Sequence, residues 1–172
     1  LRITIFQMKR LEKKWMSLMK KLSLSLNSIL IVYFFILSSA LSSEKNVVIG
    51  KASIIDGDTI IIKGEKIRFA GIDTPERNKP GHNYSKIKLK KKIGKNIVVC
   101  IREPKLDPWG RTVAECFIGY ESISSYMVKN GYACDYVKYS KKKYAKEQEY
   151  AKSKKLGIWN INFEPSWEKK CG

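Results

Sequence analysis

The sequence predicts a mainly β, α+β domain: five short strands curled into a small barrel, with three helices packed around it. Three observations carry this reading. Short β-branched runs alternate with tight turn signals between residues 47 and 118. Three later segments carry helical spacing or end on a glycine. There is no internal repeat, and the length suits a single two-layer unit.

Residues 47–55 are apolar with partial alternation and stop at the Asp56-Gly57-Asp58 turn signal. Residues 59–62 form a second strand and 67–72 a third, with Lys63-Gly64-Glu65-Lys66 as the turn between them. Pro75 ends that meander, because proline has no N–H to give a central ladder. Residues 77–84 read as loop, and 85–93 as a helix closed by Gly94. Strands are expected at 97–101 and 111–118, separated by a loop over 104–110. A helix over 121–130 is marked by Ile123, Tyr126 and Met127 at i, i+3, i+4, with Gly131 as its stop. Ser140 is the expected cap of a last helix running to about Leu156, closed by Gly157.

Charge narrows the partner. The 172 residues include 34 Lys+Arg, 16 Asp+Glu and one His, a net +18. Such an excess points to polyanions, nucleic acid or an anionic membrane surface. The single His82 excludes chemistry needing two imidazoles; it is placed in a loop and set aside from catalysis. The hydrophobic fraction of 44% is that of a folded chain.

The first forty residues read as a leader rather than as part of the fold. Lys20-Lys21, an apolar stretch over 22–37 and the small residues Ser38-Ser39-Ala40 follow the layout of a secretory signal, with Met19 a natural start and residues 1–18 a possible over-extension. An uncleaved membrane anchor is the alternative. Residues 41–172 are expected to be the folded domain, secreted or periplasmic. They keep a net +12 and all four cysteines, Cys100, Cys116, Cys134 and Cys171. An even cysteine count behind such a leader suggests disulfides, and four cysteines allow three pairings.

Three clusters carry the chemistry: Asp56-Gly57-Asp58-Thr59, Arg68 followed by Asp73-Thr74-Pro75-Glu76, and Asp107-Pro108-Trp109-Gly110-Arg111. Taken singly, each reads as a turn, a cap or a solvated arginine. Together they supply what phosphodiester cleavage requires. Carboxylates hold a hard divalent cation, arginine forks bind phosphate oxygens, and a carboxylate base suits a chain with one histidine.

The motifs IDGDT at 55–59, RFAGIDTPE at 68–76, DPWGRTVA at 107–114, VKNGYA at 128–133 and LGIW at 156–159 occur in that order. With them, the stretch 47–159 resembles the staphylococcal nuclease (thermonuclease) family. The resemblance implies a five-stranded OB-fold barrel with three helices, and calcium-dependent hydrolysis of DNA and RNA with low sequence specificity, leaving 3′-phosphates. By position it implies that Asp58 and Asp73 ligate Ca2+, with Thr74 adding its backbone carbonyl and Asp56 an outer carboxylate beside the metal. It makes Glu76 the general base and Arg68 and Arg111 the grip on the scissile phosphate. Tyr136 and Tyr139 stand where the family stacks tyrosines on a base, so splayed single strands are the expected substrate. Trp109 stands where the family often has tyrosine, keeping an aromatic contact without the hydroxyl. Relatives also suggest a Cys100–Cys116 bridge, which leaves Cys134–Cys171 as the second. The expected protein is a monomer with no protein partner; a non-catalytic nucleic-acid-binding module is the rival reading. The lysine runs over 86–95 and 141–143 read as solvated helix faces, or as a field that draws in phosphate backbones.

Overall fold

The structure is a computed structural model and describes residues 13–20, 33, 46–161 and 170–171. The chain divides into two compact units, Leu1–Lys45 and Asn46–Gly172. In the first, residues 13–20 are helical, and most of the expected leader lies outside the described residues. No helix among the described residues is long and apolar enough to cross a membrane.

The second unit is an α+β fold built on a curled sheet. Its elements are β1 (Val47–Gly50), β2 (Ala52–Asp56), β3 (Thr59–Ile62), β4 (Glu65–Phe69), β5 (Ile72–Asp73), α1 (His82–Ile93), β6 (Val98–Leu106), β7 (Thr112–Ile118), β8 (Glu121–Ser122), α2 (Ile123–Lys129), β9 (Cys134–Asp135), α3 (Val137–Ser140), α4 (Ala145–Ser153) and a 3₁₀ turn at Gly157–Asn160. The main sheet runs β1-β6-β7-β4-β3-β2, with β8 paired to β7, while β5 and β9 pair separately. All its pairs are antiparallel except β4 with β7. The two ends of the path, β1 and β2, are successive pieces of one chain segment broken only at Lys51. One bent strand therefore serves both edges and curls the sheet toward a barrel, as in an OB-fold.

That bend reconciles the strand count. The expected strand over 47–55 is two pieces, so five barrel strands are present once β1 and β2 are taken together; β5, β8 and β9 are two-residue additions. The expected strand over 67–72 is also split. Gly71 takes φ +70, and a Cβ there would lie 2.9 Å from the Ser140 Cβ, so the chain turns against α3 instead of continuing. β6 runs on through Pro104 to Leu106, where a loop was expected; its ladder with β7 is irregular between Arg102 and Leu106, so Pro104 breaks no regular pair.

The helices differ too. Residues 46–161 hold four short α-helices where three were expected. α1 begins at His82, three residues earlier than expected, with Gly81 at its cap and the Ser85 N–H bonded to the Gly81 carbonyl. α2 begins only at Ile123, where the Ser122 side chain accepts from the Ser125 N–H. Ser140 does not cap the last helix. It ends α3, and Lys141 and Lys142, both with positive φ, separate α3 from α4.

The core follows the strand period. In β4, Ile67 and Phe69 are buried; in β6, Val98 and Cys100; in β7, Ala114 and Cys116. Leu89 and Ile93 of α1, with Ile123, Met127 and Val128 of α2, close over them. Cys100 and Cys116 face each other in register and are disulfide-bonded, with a Cα–Cα distance of 4.0 Å. Cys134 is bonded to Cys171.

Candidate active site

The site forms where the turn between β2 and β3 meets β4 and β5. The ladder between β2 and β3 shifts between Ile54 and Asp56, so Gly57 and Asp58 sit in a tight turn. A Cβ on Gly57 would lie 2.8 Å from the Ser85 Cβ and 3.0 Å from the Thr74 Cγ2. A glycine there lets α1 and the loop after β5 close on the turn. The Phe69 N–H donates to the Asp58 carbonyl at 2.9 Å and ties the turn to β4.

Arg68 lies between the two inward residues of β4, so it projects from the opposite side. Its Nη1 is 2.5 Å from Asp58 Oδ2; its Nη2 donates to Asp73 Oδ1 at 2.8 Å and to the Ile72 carbonyl at 3.1 Å. The Thr59 hydroxyl donates to Asp58 Oδ1 at 2.8 Å and the Thr74 hydroxyl to Asp58 Oδ2 at 3.1 Å. Asp58, Asp73 and Thr74 are all buried. Burial pushes the Asp73 carboxyl up; Asp58 adds to that push, and Arg68 and Lys170 offset only part of it. Burial of the Arg68 guanidinium works against its charge, but Asp58 and Asp73 outweigh it and raise its pKa.

Asp58 and Asp73 are balanced by the Arg68 guanidinium and by the Lys170 ammonium, which lies 3.3 Å from Asp73 Oδ2. The hard oxygen donors of Asp58, Asp73 and Thr74 are of the kind that holds a hard divalent cation. No group of three His, Cys, Asp or Glu side chains is gathered for a metal among the described residues.

The other expected residues stand apart. The Glu76 side chain is 72% exposed, with Oε1 3.9 Å from Lys170 Nζ. The buried cluster therefore holds the carboxylates of Asp58 and Asp73, with Glu76 outside it, where a gathering of three was expected. Arg111 immediately precedes β7, the strand beside β4, and is turned to Asp107, Nε to Oδ2 at 2.5 Å. Trp109 is exposed, 5.0 Å from the Arg111 guanidinium. Backbone and side-chain hydrogen bonds from Arg111 overcome the burial of Asp107 and hold its carboxyl below the usual range. Tyr136 and Tyr139 pack edge to face against each other at 4.8 Å, and Tyr139 is exposed. The Tyr136 N–H donates to the Gly71 carbonyl at 2.9 Å, which sets its ring beside the β5 turn.

Sequence reasoning passed over two residues here. His82 is not in a loop; it opens α1, buried, with Nδ1 3.1 Å from the Pro75 carbonyl and Nε2 3.7 Å from Asp56 Oδ1. It links the loop carrying Glu76 to the end of β2, and Asp56 faces His82 from that strand. The pattern of a helix N-terminus after Pro80-Gly81 was available as a signal. Lys170 brings its ammonium to 3.3 Å from Asp73 Oδ2. Nothing in its sequence context marked it.

Comparison with known proteins agrees with the geometry. The family model described as "Staphylococcal nuclease homologue" matches residues 66–161. That span holds Arg68, Asp73, Thr74, Glu76 and Arg111; Asp58 lies just before it. An uncharacterized endonuclease of Haemophilus influenzae is 36% identical over 149 residues, covering 82% of this chain and 82% of the relative. A thermonuclease of Staphylococcus intermedius is 37% identical over 122 residues, covering 62% of this chain and 72% of the relative. A staphylococcal-like nuclease of Arabidopsis thaliana is 32% identical over 114 residues, which are 64% of this chain and 35% of that longer protein.

Proposed function

The chain belongs to the staphylococcal nuclease family, and from that premise we propose that it is an endonuclease hydrolysing phosphodiester bonds of DNA and RNA with low sequence specificity. The observation that carries the reading is the cluster of two buried carboxylates, Asp58 from the turn after β2 and Asp73 from β5, drawn onto the Arg68 guanidinium. Bringing two carboxylates together in a buried setting is costly, and such costly clusters of charge gather at functional sites.

Asp58, Asp73 and Thr74 would hold Ca2+, which supplies positive charge beside the phosphate when bound. Arg68 spends three of its five N–H donors on Asp58, Asp73 and Ile72, leaving two for non-bridging phosphate oxygens. The exposed Glu76 carboxylate accepts the proton of a water attacking phosphorus in line. Arg111, held in its fork by Asp107, supports the extra charge of the five-coordinate transition state. The bond to the 5′ oxygen breaks, and a 3′-phosphate remains. The exposed Tyr139 and its neighbour Tyr136 favour splayed, unpaired bases. Two disulfides and the leader pattern support secretion or a periplasmic site, and the protein acts as a monomer.

The positions of Glu76 and Arg111 outside the buried cluster favour a second reading, a nucleic-acid-binding module without cleavage. One assay separates the two. Plasmid and RNA are incubated with the protein in calcium or in chelator, beside Asp73→Asn and Glu76→Gln. The nuclease reading expects cleavage in calcium only, reduced about 10²- to 10⁴-fold by Glu76→Gln. Binding without cleavage in calcium establishes the module, and cleavage untouched by Glu76→Gln removes the glutamate from the mechanism.

A further inference from the structure

Among the described residues, Lys170 is the one cation paired with Asp73 that the proposed mechanism does not use. Its Nζ lies 3.3 Å from Asp73 Oδ2 and 3.9 Å from Glu76 Oε1, and 5.9 Å from the Tyr136 ring. Arg68 already holds Asp73 Oδ1. Both oxygens of this carboxylate therefore face a positively charged side chain, and the second of them faces Lys170.

The placement is built rather than incidental. Cys171, the next residue, is disulfide-bonded to Cys134. Cys134 is the residue paired with Asp73 in the β5–β9 ladder. The Cys171 carbonyl also accepts from Gln148 Nε2 at 2.5 Å, and Gln148 Oε1 accepts from the Asp135 N–H at 2.8 Å. The disulfide thus staples the residue beside Lys170 onto the strand facing Asp73, and α4 holds it a second time. A lysine on a free tail loses several rotors' worth of entropy on forming such a pair; this one is delivered by a covalent tether.

We propose that Lys170 is a tethered competitor for the divalent cation: its ammonium occupies Asp73 Oδ2, an oxygen the cation would draw on, and so sets the site's cation affinity. The proposal rests on the reading that Asp58 and Asp73 hold a cation. It makes Lys170 part of the site. It also gives the Cys134–Cys171 bridge a role in cation affinity besides fastening the chain end.

The test is calorimetric titration of calcium chloride into the nucleic-acid-free protein at fixed ionic strength. Wild type is compared with Lys170→Met, Lys170→Arg, Asp73→Asn and the untethered Cys134→Ser/Cys171→Ser pair. Lys51→Met, exposed between β1 and β2, removes the same charge away from the site. Removing one ammonium at this range in a half-exposed setting should tighten calcium binding about five- to tenfold. Lys170→Met and the untethered pair should both show it; Lys170→Arg and Lys51→Met should stay within about twofold of wild type, given screening. Asp73→Asn should abolish the binding heat. If Lys170→Met binds calcium no more tightly than wild type while Asp73→Asn loses it, the competitor is overturned and the cation site stands. Equal tightening in Lys51→Met also overturns it, in favour of a general charge effect. Absence of binding heat in every variant overturns the cation reading and this proposal together. Should the cysteine variant fail to fold, as its far-ultraviolet spectrum would report, Lys170→Met alone decides.

Discussion

The Glu65 carboxylate accepts from Arg102 Nε at 2.8 Å and Arg102 Nη2 at 2.6 Å, and from the Thr112 hydroxyl at 2.7 Å. One side chain at the start of β4 thereby ties β4 to β6 and β7 beneath the strand that carries Arg68. The Arg102 hydrogen bonds are the largest cause of its low pKa; burial opposes them, Thr112 adds to them, and the result is about 2 against the usual 4.5. The folded-state pKa is depressed, so the stabilisation is present in full above about pH 4.5 and fades as the pH falls toward 2. Glu65→Gln should cost about 1–2 kcal/mol at pH 7, discounted for solvent screening of a partly exposed pair. Urea unfolding of both proteins at pH 7 and pH 3 checks it: the gap between them should shrink by roughly half at the lower pH. A gap of the same size at both pH values would show that shape rather than charge holds the three strands. Sequence reasoning took Glu65 only as a turn residue, because nothing in a linear pattern shows that Arg102 and Thr112 fold against it.

The regular strands were legible because their period is local. Ile67 and Phe69 alternate with Lys66 and Arg68, and the structure buries the first pair. Asp58, Arg68 and Asp73 were legible from motif order, and the structure places them in one cluster. What escaped depends on distant contacts. The turn at Gly71 answers to Ser140, and the position of Lys170 answers to a disulfide partner 37 residues away. The break between α3 and α4 escaped for a different reason: Lys141 and Lys142 hold φ 56 and 67, a conformation that lysine does not advertise. Both are exposed, so their strain can be relieved without disturbing packing. Lys142→Gly should stabilise the fold by about 0.5–1 kcal/mol, since a left-handed residue without a Cβ escapes that strain. Chemical denaturation would read this as a higher midpoint at an unchanged slope. A lower midpoint would mean that the flexibility glycine gives the unfolded chain outweighs the strain it removes.

The excess charge of the whole chain, +18, and of residues 41–172, +12, far exceeds what the site uses. Part of the lysine surplus is already engaged. Lys92 pairs with Glu121 at 2.5 Å and lies over the Tyr126 ring, and Lys88 lies over the Tyr84 and Tyr132 rings. Lys90, Lys91 and Lys95, at the end of α1 and just past it, are exposed. Whether such residues act as a field for polyanions or as a solvated face is decided by salt. Each phosphate neutralised on a single strand contributes about −0.7 to the slope of log K against log salt. If only Arg68 and Arg111 meet phosphates, binding of a short unpaired oligonucleotide to Glu76→Gln in chelator should show a slope near about −1.4. If the three exposed lysines contribute as well, the slope should be steeper, about −3.5, and should flatten when Lys90, Lys91 and Lys95 are changed together to Gln. Fluorescence anisotropy between 50 and 300 mM salt, roughly the range where counterion release dominates, measures both slopes. A triple variant with the parent's slope would confine nucleic-acid recognition to the site and leave the lysines of α1 as solvation alone, whereas a flattened slope would make the net charge part of how the substrate reaches Arg68.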